Sequence, residues 1–350
     1  MSFTITVADT DHSVPAEGGD TVLSALLEHG VGFAYSCQAG NCGTCKCELV
    51  SGEIFELEYS EHALSAEERA RNIVLACRSQ VWGDVVVRKL DAEEFVVHPS
   101  RVLRCRVMTI SHETHDVLRL RLEVLAGGPY RFSPGQFANL AFAFARSEER
   151  DYSMANTPEE DVLEFHIRVM PKGAISRRVS ESLKPGDEVR VSGPRGAAYL
   201  RAQHQGPMLC IAGGTGLAPM RSIVKAVLEG GMTQPIHLYV GVRAERDVYL
   251  ESELLALAAD YPNLKLCYAL SDPGNASQNA SVAARRHGLV SDVVAADHSD
   301  LTGFKVYVAG PPPMVDAVTA LAQARGVAAR DVHADAFYPA IAETSLTGAK

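Results

Sequence analysis

Four cysteines in the first part of the chain have the spacing of metal ligands. Cys37, Cys42 and Cys45 form a C-x4-C-x2-C run, and Cys77 follows later. A plant-type [2Fe-2S] centre uses this spacing, with four thiolates holding two irons. Because Ala39, Gly40, Gly43 and Thr44 are small, backbone N–H groups can turn toward the sulfurs, and glycines allow the left-handed conformations of a tight loop. The spacing therefore favours an iron–sulfur cluster.

Three other uses of these thiols stay open at this point. Cys42 and Cys45 have the C-x2-C form of a redox dithiol. Four cysteines could also hold a structural zinc, although zinc sites usually combine two short clips and only one is present. The thiols could finally be buried side chains without a ligand. Cys47 would share one side of a strand with Cys45, and we predict a buried thiol there rather than a fifth ligand.

A second group of candidate residues lies in the middle of the chain, in the run RDYS. Arg150 could pair with a phosphate through two hydrogen bonds. Tyr152 could lie against a flat heteroaromatic ring, and Ser153 could offer its hydroxyl to a ring nitrogen. Gly173 and Ser176 precede a helical stretch whose N–H groups could bind the same phosphate. The alternative is an ordinary strand with an exposed arginine.

Two glycine-rich turns follow apolar strands in the last part of the chain. Residues 213–219 read GGTGLAP and residues 309–314 read AGPPPM. The first is not the G-x-G-x-x-G fingerprint, because Pro219 replaces the third glycine, and a lone glycine turn is weak evidence. Each turn nevertheless leaves a strand and opens a helix, where N–H groups and the helix dipole favour a pyrophosphate. Two such turns suit a dinucleotide lying across a sheet.

The elements that must position these residues fall into three predicted domains. Residues 1–95 are expected to form an α+β unit, in which Asp20 caps a helix over 21–29 and Gly30 ends it. Its predicted strands are 3–7, 46–50, 53–57 and 84–88. Residues 101–204 show the short runs of an antiparallel β-barrel, at 101–110, 117–124, 137–142, 162–169 and 188–192.

From residue 205 to 340 the pattern changes to alternating strands and helices, which predicts a mainly parallel sheet. The expected strands are 207–212, 236–241, 264–269 and 305–309. The expected helices are 220–228, 250–259 and 314–324. The predicted fold class is therefore multidomain, combining α+β and α/β units.

Charge is distributed unevenly along the chain. Residues 1–95 carry 16 Asp and Glu against 6 Lys and Arg, which accounts for the whole net charge of −10. This acidic segment could be an ordinary solvated surface or a docking face for a basic protein. Its negative charge disfavours binding to nucleic acid. The N-terminal residues alternate like a strand and lack a signal peptide, and no segment has the length of a membrane span. We therefore expect a cytoplasmic monomer, in which the eight cysteines stay reduced.

The barrel motif RDYS and the turns GGTGLAP and GPPPM together resemble the ferredoxin–NADP reductase superfamily. With the cysteine motif in front, the chain is similar to the single-chain reductases of bacterial aromatic-ring-hydroxylating dioxygenases, of the naphthalene dioxygenase reductase type. Residues 206–219 and 334–339 are especially similar to that type. The resemblance implies a β-grasp ferredoxin domain, a FAD-binding barrel and an NAD(P)H-binding sheet.

The resemblance also implies roles for single residues. FAD would be held by Arg150, Tyr152, Ser153, His166, Ile167, Arg168, Gly173 and Ser176. The nicotinamide dinucleotide would lie over Gly213, Gly214, Thr215, Gly216, Pro219, Gly310, Pro311 and Met314. Ser153 and Phe337 would contact the flavin during catalysis. Two departures are Lys172, where a glycine is common, and Ala309, where these reductases usually have cysteine.

The implied function is electron transfer from NAD(P)H to a protein. Nicotinamide gives two electrons as a hydride while a [2Fe-2S] cluster accepts one, so FAD must stand between them. The expected acceptor is a Rieske-type ferredoxin or a terminal oxygenase, and the alternatives are a diiron monooxygenase, a deoxysugar dehydratase or a non-enzymatic binding module. NADH is the expected donor and NADPH the alternative, because Arg243 and Arg246 suit a 2′-phosphate while Glu245 and Asp247 suit a 2′-hydroxyl.

Overall fold

A computed structural model of the chain describes residues 2–35, 38, 40, 43–61, 63–90, 96, 98–145, 148–272 and 284–338. Within these residues the backbone forms three large sheets and a small two-stranded sheet. Each large sheet has the type that the sequence predicts for its part of the chain. None of the helices in this described part is long and apolar enough to cross a membrane.

The first sheet is mixed and packs on a short helix. Its part of the chain contains β1 (Ser2–Val7), β2 (Ser13–Glu17), α1 (Val22–Glu28), β3 (Lys46–Ser51), β4 (Ile54–Glu56), α2 (Ala66–Ala70), β5 (Ile73–Leu75), β6 (Ser79–Val81) and β7 (Val85–Lys89). The strand order is β2-β1-β7-β3-β5, with β1 and β7 parallel, while β4 and β6 pair separately. This arrangement is the predicted β-grasp.

The N-cap predicted for α1 is wrong by one residue. The Thr21 hydroxyl accepts from the Ser24 N–H and caps the helix, as Thr does well at this position. Asp20 instead accepts from the Glu17 N–H at 2.8 Å and closes the preceding turn. Gly30 follows the helix with φ 73°, so the predicted end is confirmed.

The second sheet is antiparallel and nearly closed. Its elements are β8 (Arg101–His112), β9 (Val117–Ala126), β10 (Phe137–Phe142), β11 (Arg150–Ser153), β12 (Val162–Arg168), α3 (Ala174–Ser182) and β13 (Glu188–Arg195). The order is β11-β10-β13-β8-β9-β12. An antiparallel bridge between Met154 and Phe165 joins the two edges, and this closure makes the sheet a barrel with an apolar interior.

The third sheet is parallel throughout. Its elements are β14 (Met208–Gly213), α4 (Leu217–Glu229), β15 (Ile236–Val242), α5 (Glu251–Asp260), β16 (Leu264–Leu270), β17 (Ala284–His287), α6 (Val290–Asp297), β18 (Lys305–Gly310), α7 (Pro312–Ala324) and β19 (Val332–Ala336). The order is β17-β16-β15-β14-β18-β19. Helices α4 and α5 cover one face, and α6 and α7 cover the other, which is why the central strands are mostly apolar on both faces.

Candidate functional site

The described part of the cysteine loop brings Cys45 and Cys77 together. The Cys77 N–H lies 3.5 Å from Cys45 Sγ, and the Ala76 N–H donates to the Cys45 carbonyl at 2.9 Å. Both side chains are buried. A backbone donor directed at a sulfur is the environment that a cluster thiolate needs. Cys37 and Cys42 lie outside the described residues.

Two glycines give this loop its tight shape. Gly40 and Gly43 have φ values of 74° and 70°, which is the left-handed region. A Cβ on Gly43 would lie 2.7 Å from the carbonyl oxygen of Ala63, and one on Gly40 would lie 2.7 Å from the Cβ of Tyr59. Larger residues are therefore excluded for both space and conformation, and the described residues fit a loop wrapped around a cluster.

Cys47 has different surroundings from Cys45. It lies on β3 opposite Val74 of β5, and it is fully buried in the apolar core of this domain. Burial, with a smaller contribution from Cys77, raises the pKa of its thiol to about 12. Cys47 therefore resembles the buried thiol that the sequence predicts.

The residues predicted to bind FAD converge at one end of the barrel. Because β11 and β12 are antiparallel neighbours across the bridge from Met154 to Phe165, the start of β11 lies beside the end of β12. Arg150 is half-buried, with Nη2 3.1 Å from Glu148 Oε2. Tyr152 and Ser153 follow it, and burial raises the pKa of the Tyr152 hydroxyl to about 12.

The N-terminus of α3 adds backbone donors at this end. Gly173 is its N-cap, and no side chain of the described residues caps the helix there, so first-turn N–H groups remain available for a phosphate. A Cβ on Gly173 would lie 2.5 Å from Ser176 Oγ. Ser176 accepts from the Met170 N–H at 3.0 Å, so its hydroxyl supports the turn. Lys172 is exposed just before Gly173.

Of the three residues predicted on β12, Ile167 points into the barrel, while His166 and Arg168 share the outer face. Ile167 lies in the barrel core, so its backbone alone can face a cofactor. Arg168 is half-buried, and its Nε donates to Asp116 at 3.0 Å. His166 is buried on the outer face, 3.2 Å from Glu164 and 3.1 Å from the Tyr249 hydroxyl. Both nitrogens of His166 therefore have protein partners, and burial lowers its pKa.

The two glycine turns pack against each other at the carboxyl edge of the parallel sheet. Their strands β14 and β18 are neighbours, with Ala212 opposite Ala309. A Cβ on Gly216 would lie 2.0 Å from the Ala309 carbonyl oxygen, and one on Gly310 would lie 2.9 Å from the Cα of Gly213. The close backbone approach therefore requires glycine at these positions.

The remaining residues predicted at these turns lie in the turns themselves or in the first turn of the helix that follows. Gly214 has φ 55°, and it forms a 3₁₀ turn together with Thr215 and Gly216. Pro219 is buried in the first turn of α4, where its missing N–H costs no hydrogen bond. Pro311 precedes α7 and Met314 lies in its first turn, and a Cβ on Gly213 would lie 2.6 Å from the Met314 sulfur.

Phe337 lies beside the second glycine turn. Its N–H donates to the Gly310 carbonyl at 2.9 Å. Its ring packs on a core cluster that contains Ala309, Leu217 and the barrel residue Val117. Val117 is opposite Arg168 in the barrel sheet. Strand β12, which holds three of the predicted FAD residues, contacts the first glycine turn, and Phe337 lies beside the second.

A buried ionic network joins the barrel to the nucleotide sheet and was not predicted. Glu164 of β12 accepts from Arg119 at 2.8 Å and lies 3.6 Å from Arg221 of α4. Arg221 in turn donates to Glu253 at 2.5 Å and to the Ala155 carbonyl at 2.6 Å. Burial alone would raise the pKa of Glu164, but His166 and the two guanidinium groups outweigh it and lower the pKa to about 2.

The sequence held a signal for this network. Glu164 and Arg221 interrupt the apolar runs VLEFHIR and LAPMRSIV. Charged residues in such runs are rare unless they are paired.

Comparison with known proteins agrees with this arrangement. Family models match a 2Fe-2S iron–sulfur cluster binding domain at residues 5–81, an oxidoreductase FAD-binding domain at 104–199 and an oxidoreductase NAD-binding domain at 210–320. The ferredoxin–NAD(P)+ reductase component of the naphthalene 1,2-dioxygenase system of Pseudomonas putida is 40% identical over 329 residues, covering 93% of this chain and 96% of that protein. The chain belongs to this ferredoxin–NAD(P)+ reductase family.

Two further comparisons describe this reductase. The corresponding component of the naphthalene 1,2-dioxygenase/salicylate 5-hydroxylase systems of Ralstonia is 42% identical over 324 residues, covering 93% of this chain and 95% of that protein. The crystal structure of an Amycolatopsis cytochrome P450 reductase superposes with a TM-score of 0.81 and 33% identity, covering 97% of this reductase and all of that chain.

The predicted fold class, cofactors and activity are confirmed. This reductase is an oxidoreductase that passes electrons from NAD(P)H through FAD and a [2Fe-2S] cluster to an oxygenase system. Zinc, a bare dithiol and a non-enzymatic binding module are therefore set aside. The assignment of single residues to each cofactor stays a prediction.

Proposed function

We propose that this reductase delivers its electrons to a Rieske-type ferredoxin, which serves a ring-hydroxylating dioxygenase. Both naphthalene dioxygenase relatives, at 40% and 42% identity, are named as ferredoxin–NAD(P)+ reductase components. Direct delivery to an oxygenase is the second candidate, because the Amycolatopsis neighbour is named as a cytochrome P450 reductase. We further propose that this reductase is a cytoplasmic monomer. Its sedimentation at working concentrations tests whether it is monomeric.

One observation supports the transfer of electrons from NAD(P)H to FAD. The Phe337 N–H donates to the Gly310 carbonyl at the point where the barrel meets both glycine turns. When bound, FAD can accept two electrons from nicotinamide and release them singly to the cluster. Arg150, Tyr152 and the N-terminus of α3 bind and orient it, and Phe337 excludes water from its exposed side. The two glycine turns bind the dinucleotide pyrophosphate, and Cys37, Cys42, Cys45 and Cys77 bind the iron.

We propose NADH as the preferred donor, with NADPH also accepted. The Glu245 carboxylate is held by Arg285 at 3.0 Å, so it is in place to accept a ribose hydroxyl. Asp247 accepts from the Ala244 N–H at 3.0 Å and supports the turn. Arg243 and Arg246 are exposed, which leaves positive charge for a 2′-phosphate. Arg246→Ala should weaken NADPH turnover more than NADH turnover.

Steady-state kinetics with separate acceptors test the proposed partner. The purified reductase is given NADH and either the ferredoxin of the Pseudomonas putida naphthalene dioxygenase system or the terminal oxygenase without ferredoxin. We expect rapid ferredoxin reduction and little direct reduction of the oxygenase. Equal rates with the two acceptors would favour direct transfer.

A further inference from the structure

The small sheet of β4 and β6 exposes two aromatic rings on its outer face. Ile54 pairs with Val81 and Phe55 with Gln80, and side chains alternate between the faces of a strand. Val81 is fully buried and Ile54 packs on the core, so Phe55 points outward. Trp82, two residues after Gln80, shares that outer side. Phe55 is 58% exposed and Trp82 is 62% exposed.

The Trp82 ring packs on the backbone on one side, although most of the ring is exposed to solvent. A Cβ on Gly18 would lie 3.1 Å from Trp82 Cζ3, so the indole rests on the Gly18 backbone. Trp82 and Phe55 line one surface groove, together with Ile54, Gly83 and Glu53. A large aromatic ring that is already held in place loses little conformational freedom when a partner covers it, and such rings dominate the energy of many interfaces.

The charge around this groove restricts what can cover it. Glu53 lines the groove and is exposed, as are Glu17 and Asp84 next to Gly18 and Gly83 in the chain. The domain carries the whole net charge of −10. A second copy of this chain would bring the same negative charge, and an anionic membrane would also be repelled. A protein with an apolar side chain and a basic rim is complementary to the groove.

The groove also lies close to a predicted cluster ligand. Strand β6 starts two residues after Cys77, and a fully extended chain from Cys77 to Trp82 spans at most about 17 Å. A protein bound over Trp82 would therefore contact the domain that carries the cluster motif, and Trp82 lies at most about 17 Å from a predicted cluster ligand.

We infer that the groove of Phe55 and Trp82 is the docking surface for the protein electron acceptor. The two rings form the apolar anchor, and the surrounding carboxylates orient a basic rim on the acceptor. This inference rests on the proposed transfer to a ferredoxin.

The single tryptophan of the chain gives a direct test. Reductase labelled with 5-fluorotryptophan has one ¹⁹F resonance, from Trp82. We titrate the oxidised holoenzyme with the ferredoxin of the Pseudomonas putida naphthalene dioxygenase system and expect a saturable shift that weakens with salt. NADH-driven reduction of the same ferredoxin is measured in parallel. Reduction with an unchanged resonance would overturn the docking surface and leave the proposed function intact. Failure to reduce the ferredoxin would contradict both.

A pair of variants gives a second readout. Trp82→Ser with Phe55→Ser should raise the KM for ferredoxin about tenfold or more, while NADH-driven reduction of ferricyanide stays unchanged. Val102→Ser is the matched control, because Val102 on the barrel strand β8 is also 62% exposed and should leave both rates as they are. An unchanged KM in the double variant would count against the groove. If the double variant loses its cluster, the ¹⁹F titration of the unaltered chain decides alone.

Discussion

Two thiols only two residues apart, Cys45 and Cys47, have different surroundings in this reductase. Cys45 lies against the Cys77 N–H, whereas Cys47 is sealed in the core beside Val74. We predict that Ser at Cys37, Cys42, Cys45 or Cys77 abolishes the iron–sulfur absorption, because each removes a thiolate ligand.

Cys47→Ser is the control for this series. It should keep the cluster absorption, at a modest cost in stability for the buried hydroxyl. Visible spectra of the five purified variants give the answer. A folded Cys47→Ser protein without cluster absorption would show that the ligand assignment is wrong.

Arg150 is expected to hold the phosphate of FAD. Arg150→Ala should lose about 1.5–3 kcal/mol of FAD binding, the usual value of a charged hydrogen bond, and leave the cluster absorption intact. Flavin content after gel filtration measures this loss. Arg190→Ala is the control, because the exposed Arg190 on β13 is paired with the half-buried Glu149 on the same barrel. Full flavin occupancy in Arg150→Ala would place the phosphate elsewhere.

Ala309 lies one residue before the end of β18, against Gly216, at the position where the resemblance implies a cysteine. We expect Ala309→Cys to speed flavin reduction by NADH about tenfold, or about 1.4 kcal/mol, because a thiol reaches further toward the nicotinamide. Stopped-flow absorbance measures that step, and coupled oxygenase turnover should hardly change. Ala309 is fully buried, so an unchanged or slower reduction would identify it as a packing residue.

At the scale of elements, local patterns predicted five of the six barrel strands and four of the six strands of the parallel sheet, but not the contacts between the two sheets. Strand β12 is an example, because its apolar positions indicate a strand with one face in the barrel core. Glu164 on its other face pairs with Arg221 of α4, and Arg221 in turn pairs with Glu253 of α5. Periodicity carries no information about such pairs, and they follow only from the assembled fold.

Elements whose own sequence has a weak local pattern were missed. Strand β19 reads VHADA, with His333 and Asp335 among its five residues, and it lies at the edge of the sheet. Strands β5 and β6 have three residues each, too few for a periodic pattern. By contrast, the cysteine spacing and the glycine turns could be recognised directly, because their chemistry depends on neighbours in sequence.

His237 on strand β15 should make the folded state of this reductase less stable in acid. His237 packs on His298 and Phe304, near Lys265 and Asp297. Burial, then the neighbouring His298, lowers the pKa of His237 from 6.5 to about 4. The folded state therefore binds fewer protons than the unfolded state, so stability is complete above pH 6.5 and falls as the pH drops toward 4.

Urea unfolding at pH 7 and pH 5 measures this effect. We expect His237 to contribute about 1 kcal/mol to the stability lost between the two pH values, since partial exposure of the ring reduces the full linkage value. His237→Leu should show a smaller difference between the two pH values. His112→Leu, at the exposed end of β8, should behave like the unaltered chain. An equal loss in His237→Leu would assign the acid sensitivity to other groups.

At the scale of the whole molecule, the net negative charge is confined to the domain that carries the cluster. Exposed charges are screened beyond about 8 Å at physiological ionic strength, so added salt should slow electron delivery to the ferredoxin. Reduction of ferricyanide by NADH should change much less, because it needs no protein docking. The rate with each acceptor is measured at salt concentrations from about 20 mM to about 500 mM, a range over which charge screening changes strongly. A ferredoxin rate independent of salt would reduce the acidic surface to a solubilising role.

The contact between Gly216 and the Ala309 carbonyl also bears on how such a reductase can be redesigned. Each glycine turn occupies the space that a side chain on the other would need, although almost a hundred positions separate them in the sequence. A graft that imports one turn from a relative with another nucleotide preference would therefore collide with the resident partner. The two turns should be exchanged together, as one cassette, when the donor specificity is altered.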